Sequence, residues 1–424
     1  MRAIAYLANS FPEGGEPYVW EEIRELRKRG RRVVCCSFRR PRHIPEELAA
    51  FLDETLCVSP LCGSHVFIAL FFLVSKFPLV SDLVWRAIRG PEPVSKRLRT
   101  LAHTWLGVCL AATLRHRDVG HIHIHHGYFS AWAGMVAARC LGVKFSLTLH
   151  GSDLLVRADY VDCKLQHCSF CITVSEFNRN YIREKYPRVD GNKLVVHRLG
   201  VDVDFWSYRA EKSEPDRFSI LSVGRLHAVK NFDFLVLACR SLKNAGVKFR
   251  CVIAGKGKER KKLRQLIREL DLEAEIDVRG HVPREELPEL YQTANVVVLT
   301  SRSEGIPLTL MEAMAMECVV LAPAITGIPE LVAHKKTGFL YQSNSLDDFI
   351  AKLMEIRSNL DSLTAVRRAA RAHVESAFSR ARNLVRFADD FLRRVDAGAP
   401  KCNYEDSLLQ QIQLPVQRDR SVSV

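Results

Sequence analysis

The chain has 424 residues, 47% of them apolar and 26% charged, with a formal net charge of +14. This length and apolar content place it among globular proteins with two domains or more. No run reaches the roughly 18 apolar residues of a membrane span, and the chain enters a strand-like segment at once, so neither a span nor a secretory leader is expected and a cytoplasmic location is. The cysteine count of 13 is odd, which argues against a complete disulfide framework.

Ala3 to Ala8 reads as a short strand, followed by a turn-rich loop containing Gly14 and Gly15, an amphipathic helix from Tyr18 to Arg29 and a second strand from Arg32 to Phe38. Strand, loop, helix and strand in this order open a doubly wound α/β domain, and the paired glycines let the backbone approach a ligand closely. From Arg24 to His43, nine Lys or Arg stand against the single acid Glu25. No zinc-finger, RRM or helix-turn-helix pattern accompanies them, so an anionic membrane surface or lipid-linked acceptor is expected in preference to nucleic acid. That charge predicts a peripheral position on the inner face of the cytoplasmic membrane. Between Val58 and Leu114 the pattern is less regular: Val66 to Val74 is apolar, Pro78 breaks the pattern soon after, and buried helices are the expected content, with an interfacial helix as the alternative.

His121 to Tyr128 reads HIHIHHGY, and in a strand His121, His123 and His125 share one face. No carboxylate or cysteine lies nearby in the chain, which favours a structural or acceptor-lining role over a metal site. A strand from Lys144 to Leu149 carries His150-Gly151-Ser152-Asp153 at its carboxyl end. A neutral imidazole there can hydrogen-bond a hydroxyl, or Ser152 or Asp153 can cap the next helix. Cys163, Cys168 and Cys171 have the C-x4-C-x2-C spacing of part of a ferredoxin site, but no fourth ligand follows and coincidence is the favoured reading. The polar stretch 208–217 reads as a linker.

The strand pattern restarts at Phe218 to Val223 and runs into Gly224-Arg225, with Lys230 five residues on. Two cations at a strand's carboxyl end can neutralise a diphosphate without a divalent metal. Strands and helices then alternate through Phe249 to Ala254, Glu259 to Leu270 and Ile276 to Val278, with loops at Gly255-Lys256-Gly257 and Gly280-His281-Val282. The Val-rich run Ala294 to Leu299 reads as a strand buried on both faces, and it leads to Glu304, Gly305, Ile306 and Pro307. Pro307 suits the first helical position of Leu308 to Met316. A helix starting there aims its free amides into the crevice where α/β sheets bind ligands, and an anion is the expected guest. Glu304 and Glu312 flank that site and accept hydrogen bonds from hydroxyls. A nucleotide diphosphate sugar, with phosphate in the middle and hydroxylated rings at both ends, satisfies the whole arrangement. Three helical segments follow to about Val395, and 397–424 reads as a mobile tail.

Glu304-x7-Glu312, Gly327-Ile328-Pro329-Glu330 and Thr337-Gly338-Phe339 together resemble the donor-site signature of the retaining glycosyltransferase family 4, of GT-B fold. Gly224-Arg225-x4-Lys230, His150 and Gly200-Val201-Asp202 match the same family's motifs in order, and the first loop resembles that of colanic-acid-type exopolysaccharide transferases with Gly-Gly-Glu-Pro in place of Ser-Glu-Thr-Phe. The resemblance implies an α/β GT-B fold of two Rossmann-like doubly wound domains: an acceptor domain over 1–206, a nucleotide-sugar domain over 217–378 and a helix over 379–396 returning to the first. It implies donor contacts from Gly14, Gly15, Gly224, Arg225, Lys230, Glu304, Gly305, Ile306, Pro307, Leu308 and Glu312, and participation in catalysis by His150, Arg225, Lys230 and Glu304. No metal or other cofactor is expected. The implied partners are a nucleotide diphosphate sugar and a lipid-linked or saccharide acceptor, and the implied reaction is hexosyl transfer in cell-surface polysaccharide synthesis. A nucleotide-sugar epimerase or a non-catalytic binding protein of the same fold is the alternative.

Overall fold

The computed structural model describes residues 1–13, 16–41, 44, 48–58, 63–207 and 217–397. Gly14, Gly15, nearly all of the expected linker and the tail beyond 397 lie outside these residues. The described chain builds two parallel sheets. The first contains β1 (Ala3–Ser10), β2 (Val33–Arg39), β3 (Leu56–Cys57), β4 (Val119–His125), β5 (Lys144–Leu149), β6 (Cys171–Thr173) and β7 (Leu194–Val196), in the spatial order β3-β2-β1-β4-β5-β6-β7. The second contains β8 (Phe218–Val223), β9 (Phe249–Ala254), β10 (Ile276–Gly280), β11 (Val296–Val298), β12 (Val319–Pro323) and β13 (Phe339–Tyr341), in the order β10-β9-β8-β11-β12-β13. In each sheet the order reverses beside the domain's first strand, between β1 and β4 and between β8 and β11. Such a switch point opens a crevice at the carboxyl ends of the strands.

The strands form where the sequence is short and apolar, and helices cover both faces. Ile122 and Ile124 of β4 face one apolar core, while Ile4, Tyr6 and Ala8 of β1 belong to a second core on the other side of the sheet. That second core is completed by Phe387, Ala388 and Phe391 of the last helix, Arg380–Ala397, which therefore returns to the first sheet. Val201 and Trp206 pack with β11 and β12 residues, so the core of the second domain begins several residues before 206.

One expectation fails between the third and fourth strands. Gly63–Arg89 is a single helix that carries Pro78 inside it. Proline removes one helical hydrogen bond and costs about 3 kcal/mol. Val80, Leu83 and Ala87 beyond it are buried in the core, and their packing offsets that cost. Nor is the helix mostly buried: Val66–Arg89 is long and apolar enough to cross a membrane, and only 17% of its most apolar window is covered by the protein. The cysteine trio is accounted for more simply. Cys163, Cys168 and Cys171 are buried free thiols of the first core, and burial pushes Cys163 up to about 11 and Cys168 up to about 12.

The two domains are clamped by Glu330. Its carboxylate accepts the backbone N–H of Glu176 at 3.0 Å and of Phe177 at 2.7 Å, capping the helix Glu176–Lys185 of the first domain from the second. Arg198 approaches the same carboxylate at 3.4 Å. Hydrogen bonds to an ionised acceptor are worth roughly 1.5–3 kcal/mol. Glu330→Ala is expected to lower the thermal midpoint and to raise the radius of gyration in small-angle X-ray scattering; an unchanged scattering curve would show that the domains are held elsewhere.

Candidate active site

The carboxyl ends of the two switch-point strand pairs face each other. From the first sheet come Glu13 and Glu16 after β1, His125 and His126 at the end of β4, and His150 after β5. From the second come Gly224 and Arg225 after β8 and the Glu304 loop after β11. The domains touch where Gly151 meets Gly305: a β-carbon on Gly305 would lie 2.0 Å from the carbonyl oxygen of His150.

Lys230 and Glu304 are brought together directly. The Lys230 Nζ lies 2.5 Å from Glu304 Oε1, and both side chains are largely covered. The Lys230 stem passes Gly224, and Thr300 donates its hydroxyl to the Lys230 carbonyl at 2.9 Å, tying the two loops of the switch point to each other. Arg225 is exposed and has no ion pair among the described residues. It lies close enough to Glu13 and Glu16 across the cleft to act on both carboxylates.

The helix Leu308–Ala315 starts one residue later than expected, with Pro307 in extended backbone at the cap position instead of the first turn. Leu310 and Met311 make the first intrahelical bonds, both to the Pro307 carbonyl, which leaves the Leu308 and Thr309 amides outside the helix ladder. Ile306 is buried in the second domain's core, so its side chain is not part of the cleft wall. Glu312 accepts the Tyr291 hydroxyl at 2.9 Å. Burial raises its carboxyl to about 7, against the opposing effects of the Tyr291 bond and the nearby Arg284.

His150 ends a hydrogen-bonded chain that the sequence alone did not disclose. Its Nε2 lies 3.2 Å from His125 Nδ1, His125 Nε2 lies 3.0 Å from Glu22 Oε2, and the Tyr6 hydroxyl donates to the same oxygen at 2.5 Å. Glu22 sits on the helix Pro17–Lys28, 103 residues before His125, so the histidine cluster does have a carboxylate beside it, contrary to the expectation from chain neighbours. When His125 donates its Nε2–H to Glu22, as the Tyr6 hydroxyl does, and accepts at Nδ1 from His150 Nε2–H, His150 Nδ1 is left as a lone pair. That nitrogen is buried without a partner among the described residues. Burial, with His126, His125 and His123 close by, holds the His150 imidazole well below its ordinary pKa, so it is neutral. Asp153 fixes this loop by accepting the backbone N–H of His150, Gly151 and Gly127 at 3.1, 2.8 and 2.9 Å.

The remaining histidines divide by environment. Glu22, His123 and His125 offer donor atoms within 4.8 Å of one another, a spacing a metal would use. His123, however, spends both ring nitrogens on Ser146 and Thr148, at 2.8 and 3.0 Å. Burial lowers His121 to about 3 and His123 well below its usual range, which makes both uncharged members of the core. His126 is the exception: burial opposes its charge, but Glu16 at 3.0 Å, with Asp153 and Glu13 near, outweighs that and raises it. The sequence pointed to Gly14 and Gly15 in this loop; Glu13 and Glu16, the residues flanking them, are the ones whose charges reach the cleft.

Two parallel-sheet domains facing each other in this way define the GT-B fold. Sucrose-phosphate synthase from Thermosynechococcus elongatus superposes with a TM-score of 0.74 at 17% identity, covering 93% of this chain and 100% of that one. HepE of Anabaena in complex with UDP-glucose superposes at 0.71 and 16% identity, with 93% and 100% covered. The pattern of Glycosyltransferase Family 4 matches residues 12–205 and that of Glycosyl transferases group 1 matches residues 204–373. The chain belongs to the family 4 glycosyltransferases. It is 37% identical over 194 residues to the colanic acid biosynthesis glycosyltransferase WcaL of Salmonella typhimurium, covering 44% of this chain and 48% of that one. It is 29% identical over 273 residues to the amylovoran biosynthesis glycosyltransferase AmsK of Erwinia amylovora, covering 60% and 66%. The matched region therefore spans about half to two thirds of the curated relatives' length.

Glu22→Gln is expected to lower turnover about 10-fold or more at unchanged thermal stability, because a glutamine no longer fixes which His125 nitrogen carries the proton; full turnover would remove Glu22 from the chain that orients His150. Because Glu312 protonates near pH 7, nucleotide affinity is expected to weaken as pH falls through 7 and to lose that dependence in Glu312→Gln, as calorimetric titration with UDP, GDP and ADP would record.

Proposed function

We propose that the protein is a retaining glycosyltransferase that moves a hexosyl group from a nucleotide diphosphate sugar to a lipid-linked or saccharide acceptor in exopolysaccharide synthesis. The observation that carries this reading is the placement of Lys230, Glu304 and the Leu308–Ala315 helix start at the switch point of the second sheet, directly opposite the neutral His150 of the first. Colanic acid and amylovoran synthesis, named for two relatives, supply the polysaccharide context, and the UDP-glucose held by a protein of the same fold supplies the donor class.

On this reading Arg225 and Lys230 carry the diphosphate charge, helped by the Leu308 and Thr309 amides, while Glu304 and His150 Nδ1 accept hydrogen bonds from sugar hydroxyls and Glu312 from the ribose. In the transfer, the bond from the sugar's anomeric carbon to the phosphate oxygen breaks and a bond to the acceptor oxygen forms on the same face. The acceptor's proton passes to the departing phosphate oxygen, giving a glycoside and a nucleoside diphosphate. Catalysis is then mainly electrostatic: charge develops on the leaving group and preorganised cations stabilise it. The two cations take the place a divalent metal holds in other transferases, so activity is expected to persist in EDTA.

Thermal stabilisation by UDP-, GDP- and ADP-sugars identifies the donor, since a ligand at 100 times its Kd stabilises by about 2.7 kcal/mol. With that donor, Arg225→Ala and Lys230→Ala are each expected to lower kcat about 100-fold to 1000-fold. Near-normal kcat in either variant, loss of turnover in EDTA with recovery on adding Mg²⁺, or epimerisation of the free nucleotide sugar without an acceptor would overturn the assignment.

A further inference from the structure

The helix Gly63–Arg89 has two apolar faces, and the protein uses one of them. Ala69, Val80, Leu83 and Ala87 point into the first domain's core, with Phe72 and Leu73 packed against it. Phe67, Leu70, Phe71 and Val74, and beyond Ser81 and Asp82 also Trp85 and Ile88, fall on the opposite side at about 100° per residue, which is one stripe of a helix. That stripe is bare: Phe67 is 76% exposed, Phe71 70%, Val74 77% and Trp85 51%. Val94 and Leu98 at the start of the next helix, Val94–Leu114, are bare as well, at 64% and 62% exposed. The stripe runs for roughly 30 Å at 1.5 Å per residue. Monomers rarely leave so large a contiguous apolar patch in water unless something covers it.

Cations border the stripe. The Arg89 guanidinium lies 4.5 Å over the Trp85 ring, and Arg97 and Arg99 follow on the neighbouring helix; none of the three has an ion pair among the described residues. The one acid of the stretch between Phe67 and Arg89, Asp82, is paired with Arg139. An aromatic ring under an arginine at the edge of an apolar face is suited to the boundary between acyl chains and anionic headgroups. We propose that this face docks the first domain on an anionic bilayer, lying in the interface without crossing it. Crossing would pull Val80, Leu83 and Ala87 out of the core they complete. A second copy is the poorer occupant, because a two-fold interface sets the same patch against itself and would bring the arginine cluster of one copy towards that of the other.

The placement differs from the basic stretch that the sequence singles out. Arg27 is paired with Glu54, Arg29 with Glu25 and Asp389, and Arg31 with Asp396, while Arg24 lies over Trp20 at 4.5 Å. Those cations mostly hold the helix Pro17–Lys28 against the fold, and the lipid surface moves to Gly63–Arg89. The inference rests on exposure and charge in the first domain and is independent of the donor site.

Vesicle sedimentation of the full chain tests it, with phosphatidylcholine vesicles prepared with and without phosphatidylglycerol. The wild type is expected to bind the anionic vesicles, with a blue shift of Trp emission that Trp85→Phe removes. The triple variant Phe67→Ser, Phe71→Ser, Trp85→Ser is expected to lose about 100-fold in partitioning. Arg89→Gln, Arg97→Gln and Arg99→Gln together are expected to abolish the preference for phosphatidylglycerol. Unchanged thermal midpoints in both variants keep misfolding out of the comparison. Equal binding by wild type and the serine variant, no binding by the wild type, or a wild-type dimer that the serine variant dissociates would each overturn the proposal.

Discussion

At Gly305 the backbone of the second domain lies so close to the His150 carbonyl that any β-carbon would fall 2.0 Å from the oxygen, so the cleft can close here only at glycine. Gly151 answers it from the other side: its φ of +147° belongs to glycine, and a β-carbon would sit 2.9 Å from the Gly305 nitrogen. Much of the site's geometry depends on this contact. It sets the distance between His150 and Glu304, because each residue is the chain neighbour of one of the two glycines. It also leaves no room for water between the loops at that point, which strengthens every electrostatic interaction around it.

Buried carboxylates shape the cleft as much as its cations do. Asp153 gathers three backbone amides around the His150 turn, Glu22 orients His125, and Glu330 caps a helix of the opposite domain. Each satisfies donors that would otherwise be buried without a partner, and each sits on a different element, so the cleft wall is braced from several directions. Glu312 differs from them. It has a hydroxyl donor in Tyr291 but no cation within ion-pair distance among the described residues, and its raised pKa records the cost of burying a carboxylate with so few donors.

Most of the longer strands were legible, because short Val- and Ile-rich runs separated by glycine loops signal buried parallel strands without reference to the rest of the chain. The meeting of Lys230 with Glu304 was legible for a related reason: both lie in loops that follow the carboxyl ends of neighbouring strands, where spacing along the chain translates into position. The link from Glu22 to His125 was not, since residues on β4 and on the helix Pro17–Lys28 are joined only by folding and no local pattern announces the pair. Glu330 was read as part of a donor signature, whereas its carboxylate spans the domains. The helix Gly63–Arg89 was misjudged because apolar residues on both faces give no periodicity to say which face is buried. Pro78 added a false boundary, since proline marks a helix end only where packing beyond it is weak.

The ion pair between Lys230 and Glu304 gives the site a preference that neither residue has alone. In the free protein each offsets the other's burial, so a ligand that draws away only one partner leaves the second charge covered and unpaired, which costs several kcal/mol. An inorganic phosphate takes Lys230 and strands Glu304. A free sugar donates hydrogen bonds to Glu304 without replacing the ammonium. On the transferase reading, a nucleotide sugar offers phosphate to Lys230 and hydroxyls to Glu304 from one molecule, at a separation its own covalent bonds hold fixed. Opening the pair is then compensated at both ends in a single event. The selection therefore favours ligands in which phosphate and hydroxylated ring are joined, before any contact with the base or the acceptor is made.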